Sequence, residues 1–257
     1  MIKKVILYIS MFFVIQYMAI GLVAIGNLIL GREAGNMDTP ALLISQGLFS
    51  VICITVFLVL RWAPVSTRYW NTRPLSAIIW CVIAAIGTIA PSMWLQSFLD
   101  FLPDINGENL LEIMQQRWGY VVIGILSPWA EEVVFRGAIL HTLLQSERGL
   151  GRWTAITISA LLFAIAHLNP AQMPHAFLIG LLLGWVYERS RSLIPCVVLH
   201  CANNTLAYLM TAAYPASDIT LRQILGGSQR AELMAVGFSL LILLPALYQL
   251  SILLRRK

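Results

Sequence analysis

Long stretches without a single Asp, Glu, Lys or Arg punctuate the chain. They run Val5–Gly31, Thr39–Leu60, Pro74–Leu99, Trp153–Tyr187, Ser192–Ser217 and Leu233–Leu254. A helix needs roughly 20 apolar residues to cross the hydrocarbon core of a bilayer, so most of these stretches are one span each. Trp153–Tyr187 is too long for one helix. Asn169-Pro170 and then Pro174 interrupt it, because proline lacks a backbone donor and disfavours helix in the residue before it. Two spans result, at about 153–168 and 175–188. The segment Gly119–Gln145 is apolar except for Glu131, Glu132, Arg136 and His141, and counts as a span that carries charge. The pattern predicts eight transmembrane helices.

Composition excludes a soluble alternative. Apolar residues make up 59% of the 257 residues and charged residues 11%. So few charges cannot cover that much apolar surface in water. The expected fold is therefore all-α: one integral membrane domain over residues 1–257, built around a helical bundle. The net charge of +5 does not point to nucleic acid, since the basic residues fall beside apolar segments and form no patch interleaved with exposed aromatics. Cys53, Cys81, Cys196 and Cys201 all lie inside apolar stretches. They read as small buried residues, neither a disulfide framework nor a zinc cluster.

The basic residues set orientation. With eight crossings and the N-terminus inside, inner segments hold Lys3, Lys4, Arg61, Arg68, Arg73, Arg148, Arg152, Arg189, Arg191, Arg255, Arg256 and Lys257. Outer segments hold only Arg32, Arg117, Arg222 and Arg230. Seven or nine spans would break that asymmetry, so both termini are expected in the cytoplasm of a cell (inner) membrane protein. Lys3 and Lys4 resemble a signal-peptide n-region, but the apolar run behind them is too long for a cleaved signal. No internal repeat suggests the paired halves of a transporter. Between the third and fourth spans, Asn106 is an N-cap residue ahead of Leu110, Ile113, Met114 and Arg117-Trp118 at helical spacing. That spacing predicts an amphipathic helix on the outer interface, or a connector tucked against the bundle.

Three clusters are hard to explain by packing. The first is Glu131-Glu132-Val-Val-Phe-Arg136 within the fourth span. An ionised side chain at mid-membrane costs about 2.5–3.5 kcal/mol even on lenient scales, so three together need compensation. Glu132 and Arg136 lie four apart on one helical face and can neutralise each other. Glu131 points about 100° away and has no partner within this helix. Pro128 just before the pair frees a backbone carbonyl. A buried ion pair that only fixes packing would leave Glu131 unexplained. The second cluster is Phe163-Ala-Ile-Ala-His167, near the end of the fifth span, and the third is His200-Cys-Ala-Asn-Asn204 in the seventh. His141 and His175 belong to no such pairing and read as interfacial residues.

A glutamate in apolar surroundings can act as a general base toward water. One histidine beside it can position that water; a second histidine with an amide donor can stabilise an oxyanion. That set suits hydrolysis of an amide bond. The same residues could instead hold zinc, since Glu131, His167 and His200 supply a carboxylate and two imidazoles. No H-E-x-x-H helix, G-x-S-x-G elbow or pair of intramembrane aspartates is present.

Ser-Pro-Trp-Ala-Glu131-Glu132-Val-Val-Phe-Arg136-Gly137, Phe163-x-x-x-His167 and His200-x-x-x-Asn204 resemble the three motifs of the CPBP intramembrane proteases. This family of CAAX proteases and bacteriocin-processing enzymes, also called Abi, includes the type II CAAX prenyl endopeptidases. The likeness covers about residues 119–210. Gly180-x-x-x-Gly184-x-x-Tyr187 and Ser192-Leu-Ile-Pro195 add to it, the glycines predicting close approach of the sixth span to a neighbour. The resemblance implies Glu131 as the base that activates water, supported by Glu132 and Arg136. It implies His167 as an aid to that water, and His200 with Asn204 as the oxyanion site. Members are often named metalloproteases, and a metal-free glutamate mechanism is also held for them; the sequence favours no cofactor and leaves zinc open.

The expected function is thus an intramembrane endopeptidase acting on a membrane-associated, lipidated or other peptide substrate near or within the membrane. The alternative is a non-catalytic bacteriocin-immunity or maturation protein of the same fold. The depths of the two histidines are in tension. At about 1.5 Å per residue, His167 lies roughly 20 Å from the inner end of its span and His200 only about 10 Å from that of its own.

Overall fold

The computed structural model describes residues 1–64, 74–145, 150–216 and 219–254, and among these there is no strand. Helices α1 (Ile2–Ile29), α2 (Thr39–Val59) and α3 (Pro74–Gln96) precede the short α4 (Gly107–Gln115). A continuous helical run comes next: a π-helical stretch Tyr120–Leu126, α5 (Ser127–Glu132), a second π-helical stretch Val133–Leu140, and α6 (His141–Leu144). Then come α7 (Arg152–Ala166), α8 (Met173–Ser190), α9 (Leu193–Ala213), the single turn α10 (Leu221–Ile224) and α11 (Gln229–Leu253).

Among the described residues, every apolar stretch is largely helical. Five are long and apolar enough to cross a membrane: α1, α2, α3 from Leu75, α9 and α11; α7 is apolar but shorter. The described chain is therefore a multi-pass helical membrane protein with five candidate spans. Of the basic residues that set the expected orientation, Arg68, Arg73, Arg148, Arg255, Arg256 and Lys257 lie outside the described residues. The expected break near Asn169 is present, since α7 ends at Ala166 and α8 begins at Met173. Pro174 does not interrupt; it sits in the first turn of α8, where its missing N–H has no helical partner to lose.

Burial runs along one stripe per outer helix. In α1 the buried residues are Tyr8, Phe12, Ile15, Ala19, Val23 and Asn27. That spacing of three or four is a single helical face. Ile6, Val14, Tyr17 and Ile25 on the other faces are exposed yet apolar, as a bilayer-facing surface requires and a water-facing one forbids. Phe12 stacks edge-on against Phe49 of α2 and Phe135 of the second π-helical stretch, with ring centroids 5.0 and 5.3 Å apart. These contacts seat the charged segment at the centre of the bundle, where Val133 to Leu140 are all buried.

The glycines of α8 act as expected. A Cβ on Gly180 would meet Ala160 at 3.1 Å and Phe163 at 3.2 Å, and one on Gly184 would meet Ile156 at 2.9 Å. These neighbours are on α7, so the two helices approach backbone to backbone. Helix α4 is a connector: Ile113 and Met114 are buried against the bundle, where the helix packs on α2 and α9. Asn106 stands at its N-cap without a side-chain cap bond. Arg117 and Trp118, expected on its apolar face, lie beyond its end and are exposed.

Candidate active site

Pro128 shapes the entrance to the first motif. In the π-helical stretch before it, the Ser127 N–H bonds back five residues to the Val122 carbonyl. The next bond in that register would join Pro128 to Ile123, and proline has no N–H to give. The Ile123 carbonyl instead accepts from Asn204 Nδ2 at 3.0 Å. A carbonyl released by one motif thus holds a residue of another. Interruptions of this π type concentrate at functional sites.

Glu132 and Arg136 form the expected i,i+4 pair, with Arg136 Nη1 donating to Glu132 Oε1 at 2.8 Å and both side chains fully buried. Arg136 Nη2 donates to the Gly180 carbonyl at 3.1 Å. Its guanidinium also lies 4.5 Å over the Phe163 ring, a cation–π contact. One arginine therefore ties the first motif to both α7 and α8.

His200 joins the first motif to the third. Its Nδ1 lies 2.8 Å from Glu132 Oε1, the oxygen that Arg136 also holds. A carboxylate so paired accepts, so Nδ1 carries the proton and donates. The other ring nitrogen, Nε2, faces Glu131 Oε2 at 3.6 Å. Glu131, without a partner in its own helix, finds one on α9. The Glu131 side chain retains 18% exposure beside the fully buried Glu132, so it is the carboxylate a reactant can reach.

His167 and His200 meet through Phe163. The Phe163 ring lies edge-on to both imidazoles, with centroids 4.9 Å from His167 and 5.7 Å from His200. Phe163, one turn before His167, thus bridges α7 and α9. His167 Nδ1 lies 2.9 Å from the Phe163 carbonyl. A carbonyl can only accept, so Nδ1 bears hydrogen, and neutral His167 presents Nε2 as an acceptor.

Asn204 is held at both ends. Its Nδ2 donates to Ile123, and its Oδ1 accepts from Asn203 Nδ2 at 3.4 Å. One amide N–H of Asn204 stays uncommitted by these bonds. Asn203 also donates to His175 Nε2 at 3.5 Å. His175 therefore adjoins the third motif, a correction to its interfacial reading. His141 bonds Tyr187 Oη at 3.0 Å and Gln145 at 2.8 Å, away from the cluster. Gln46 of α2 also reaches this region, donating to Ser127 Oγ at 3.0 Å. Nothing in the motif spacing marks Gln46 or Asn203.

Among the described residues, no three His, Cys, Asp or Glu side chains are grouped closely enough to hold a metal ion. His200 Nδ1 and Glu132 Oε1 are already engaged with each other and with Arg136. A cleft of about 260 Å³ lined by Asp104, Ile105, Gly107, Glu108 and Asn109 lies at the start of α4 and contains none of the motif residues.

This geometry links two adjacent glutamates, an arginine, two histidines and an asparagine from three separate helical segments. The model of a protein family, Type II CAAX prenyl endopeptidase Rce1-like, matches residues 113–206. The segment that carries the motifs is thus similar to that family of CAAX endopeptidases. The matched segment runs from the end of α4 into α9 and holds every motif residue; α1 to α3, α10 and α11 lie outside it. No curated protein and no solved structure matches the chain. Protease chemistry is thereby supported at the level of the family.

Proposed function

We propose that the chain is a glutamate-dependent intramembrane endopeptidase that hydrolyses a peptide bond of a membrane-associated or lipidated substrate. The observation that supports this most directly is His200 between the two glutamates, with Nδ1 on Glu132 and Nε2 facing Glu131. Glu131 takes a proton from water as the water oxygen attacks the scissile carbonyl carbon. His167, with Nε2 free to accept, orients that water. The carbonyl oxygen becomes an oxyanion, stabilised by His200 Nε2–H and the uncommitted N–H of Asn204. Collapse of the intermediate breaks the C–N bond, and the proton held on Glu131 passes to the leaving amine. Glu132 and Arg136 stay charged throughout and keep His200 in register.

Membrane and secreted peptides from cells carrying the intact chain, compared with those carrying Glu131→Gln, test this reading. Fragments ending at a common cleavage site should appear only with the intact chain. Identical inventories would leave a peptide-binding, non-cutting protein as the better account.

The reaction proposed needs no metal. Treating the detergent-purified protein with a strong chelator should leave cleavage within about twofold. Asn204→Ala should lower it by about 10²–10³, the usual cost of an oxyanion donor. Stoichiometric zinc whose occupancy tracks activity would reverse the assignment.

We further propose eight crossings, with the segment Tyr120–Leu144, α7 and α8 joining the five long helices, and both termini in the cytoplasm of a cell (inner) membrane. Cysteine at Gly35, in the exposed loop between α1 and α2 where a side chain meets nothing within 4 Å, should react with a membrane-impermeant thiol reagent in intact cells. Cysteine at Gly151, at the start of α7, should react only after permeabilisation. The reverse labelling would invert the topology.

A further inference from the structure

His167 ends helix α7, and the turn beyond it is bonded on every side. Leu168 adopts φ +52°, a left-handed conformation that costs a residue with a side chain about 1 kcal/mol or more and persists only where neighbours enforce it. Asn169 comes next and is fully buried. Its Nδ2 donates to Asp104 Oδ1 at 2.7 Å, and its Oδ1 accepts from the Ile105 N–H at 3.2 Å. Its main-chain carbonyl accepts from Gln172 and Met173 at 3.0 and 3.1 Å, starting α8. Two further bonds reinforce the junction: Ala171 N–H to the Pro103 carbonyl at 3.3 Å, and Gln96 Nε2 to the Ala171 carbonyl at 2.8 Å.

The segment 103–105 is thus a strap clasped onto the turn that carries His167. The clasp needs a side chain that donates and accepts at once, which an amide does and a carboxylate or alkyl group does not. Only Leu168 separates the clasp from His167, and the strained Leu168 backbone leaves little freedom to absorb a shift.

We infer that Asn169 is a positioning residue for His167, and that the strap acts on the site through Asp104. This inference rests on the proteolytic reading for its kinetic effect, though the mechanical coupling stands without it. Misplacing a catalytic group by about 1 Å can cost 10²-fold in rate. Asn169→Asp keeps the acceptor for Ile105 but sets two carboxylates against each other. Adding Asp104→Asn restores one donor and one acceptor in reversed order, so the pair should behave as a coupled unit in a double-mutant cycle.

The test uses the full chain in detergent. Asn169→Asp should lower kcat by about 10- to 100-fold with KM within about twofold, and the Asn169→Asp/Asp104→Asn double variant should return to within about threefold of the parent. Asp104→Ala, at an exposed position, is the second variant should Asn169→Asp not fold, and it should show the same loss of kcat. A readout that needs no substrate comes from the imidazole resonances of the four histidines. The His167 signal should move in either single variant and return in the double variant, while His141 stays fixed. Loss of kcat without rescue by the double variant, or an unmoved His167 signal in a folded single variant, overturns the inference. A parent that cuts nothing while its His167 signal responds as described would refute the proteolytic reading alone.

Discussion

Glu131→Gln should abolish peptide hydrolysis, with a loss of about 10²–10⁴-fold or more, in a protein that extracts and folds like the parent. The range is what removal of a positioned general base costs. Folding should survive for reasons visible at the site. Glutamine has nearly the same shape as glutamate, and the Glu131 side chain is only partly buried, 3.6 Å from His200 Nε2. Removing its charge leaves Glu132 and Arg136 as a closed neutral pair. Stability should therefore hold or rise while the group that takes the proton is gone. Cleavage of a fluorogenic peptide, measured beside the thermal midpoint of the same preparation, separates the two effects. Near-parental cleavage by the variant would remove Glu131 from its role as base.

Much of the fold was legible because burial in a membrane protein is written in absence of charge. Among the described residues each charge-free stretch is largely helix, and the interruption at Asn169-Pro170 is announced by the chemistry of proline. The partnership of Glu132 with Arg136 was legible because i,i+4 spacing is local. The partnership of Glu131 with His200 was not, since it depends on how α9 is rotated against the charged segment. Motif resemblance could place the two in one site but not assign a ring nitrogen to each glutamate. The π-helical geometry around Pro128 was half legible. Proline announces a spare carbonyl, but only the five-residue register shows that it belongs to Ile123 and that Asn204 occupies it. Asn169 was hidden for a different reason. In sequence it is a residue before proline, which reads as a helix end, and its two side-chain bonds reach 64 and 65 residues back along the chain. His175 misled because a lone histidine near a helix start gives no sign of the Asn203 that faces it.

Arg136→Ala should destabilise the protein by about 3–5 kcal/mol, the cost of leaving one member of a buried ion pair uncompensated. The losses come together. Glu132 keeps only His200, the Gly180 carbonyl loses a donor, and Phe163 loses the cation over its ring. A cavity also opens where a fully buried side chain stood. Arg136→Lys should recover only part of this, because a single ammonium is a point charge and cannot reproduce the planar fork that reaches Glu132 and Gly180 together. The decisive comparison removes both charges. Glu132→Gln with Arg136→Met leaves no unpaired ion, so its thermal midpoint should lie well above that of Arg136→Ala and close to the parent's, as replacement of buried ion pairs by apolar groups often allows. Cleavage should stay low, because the His200 Nδ1–H would face a neutral amide in place of a carboxylate and the imidazole would be held less firmly. A double variant as unstable as Arg136→Ala would mean that the arginine acts through packing alone. One that is stable and fully active would show that the charge of Glu132 has no part in holding His200 for the reaction.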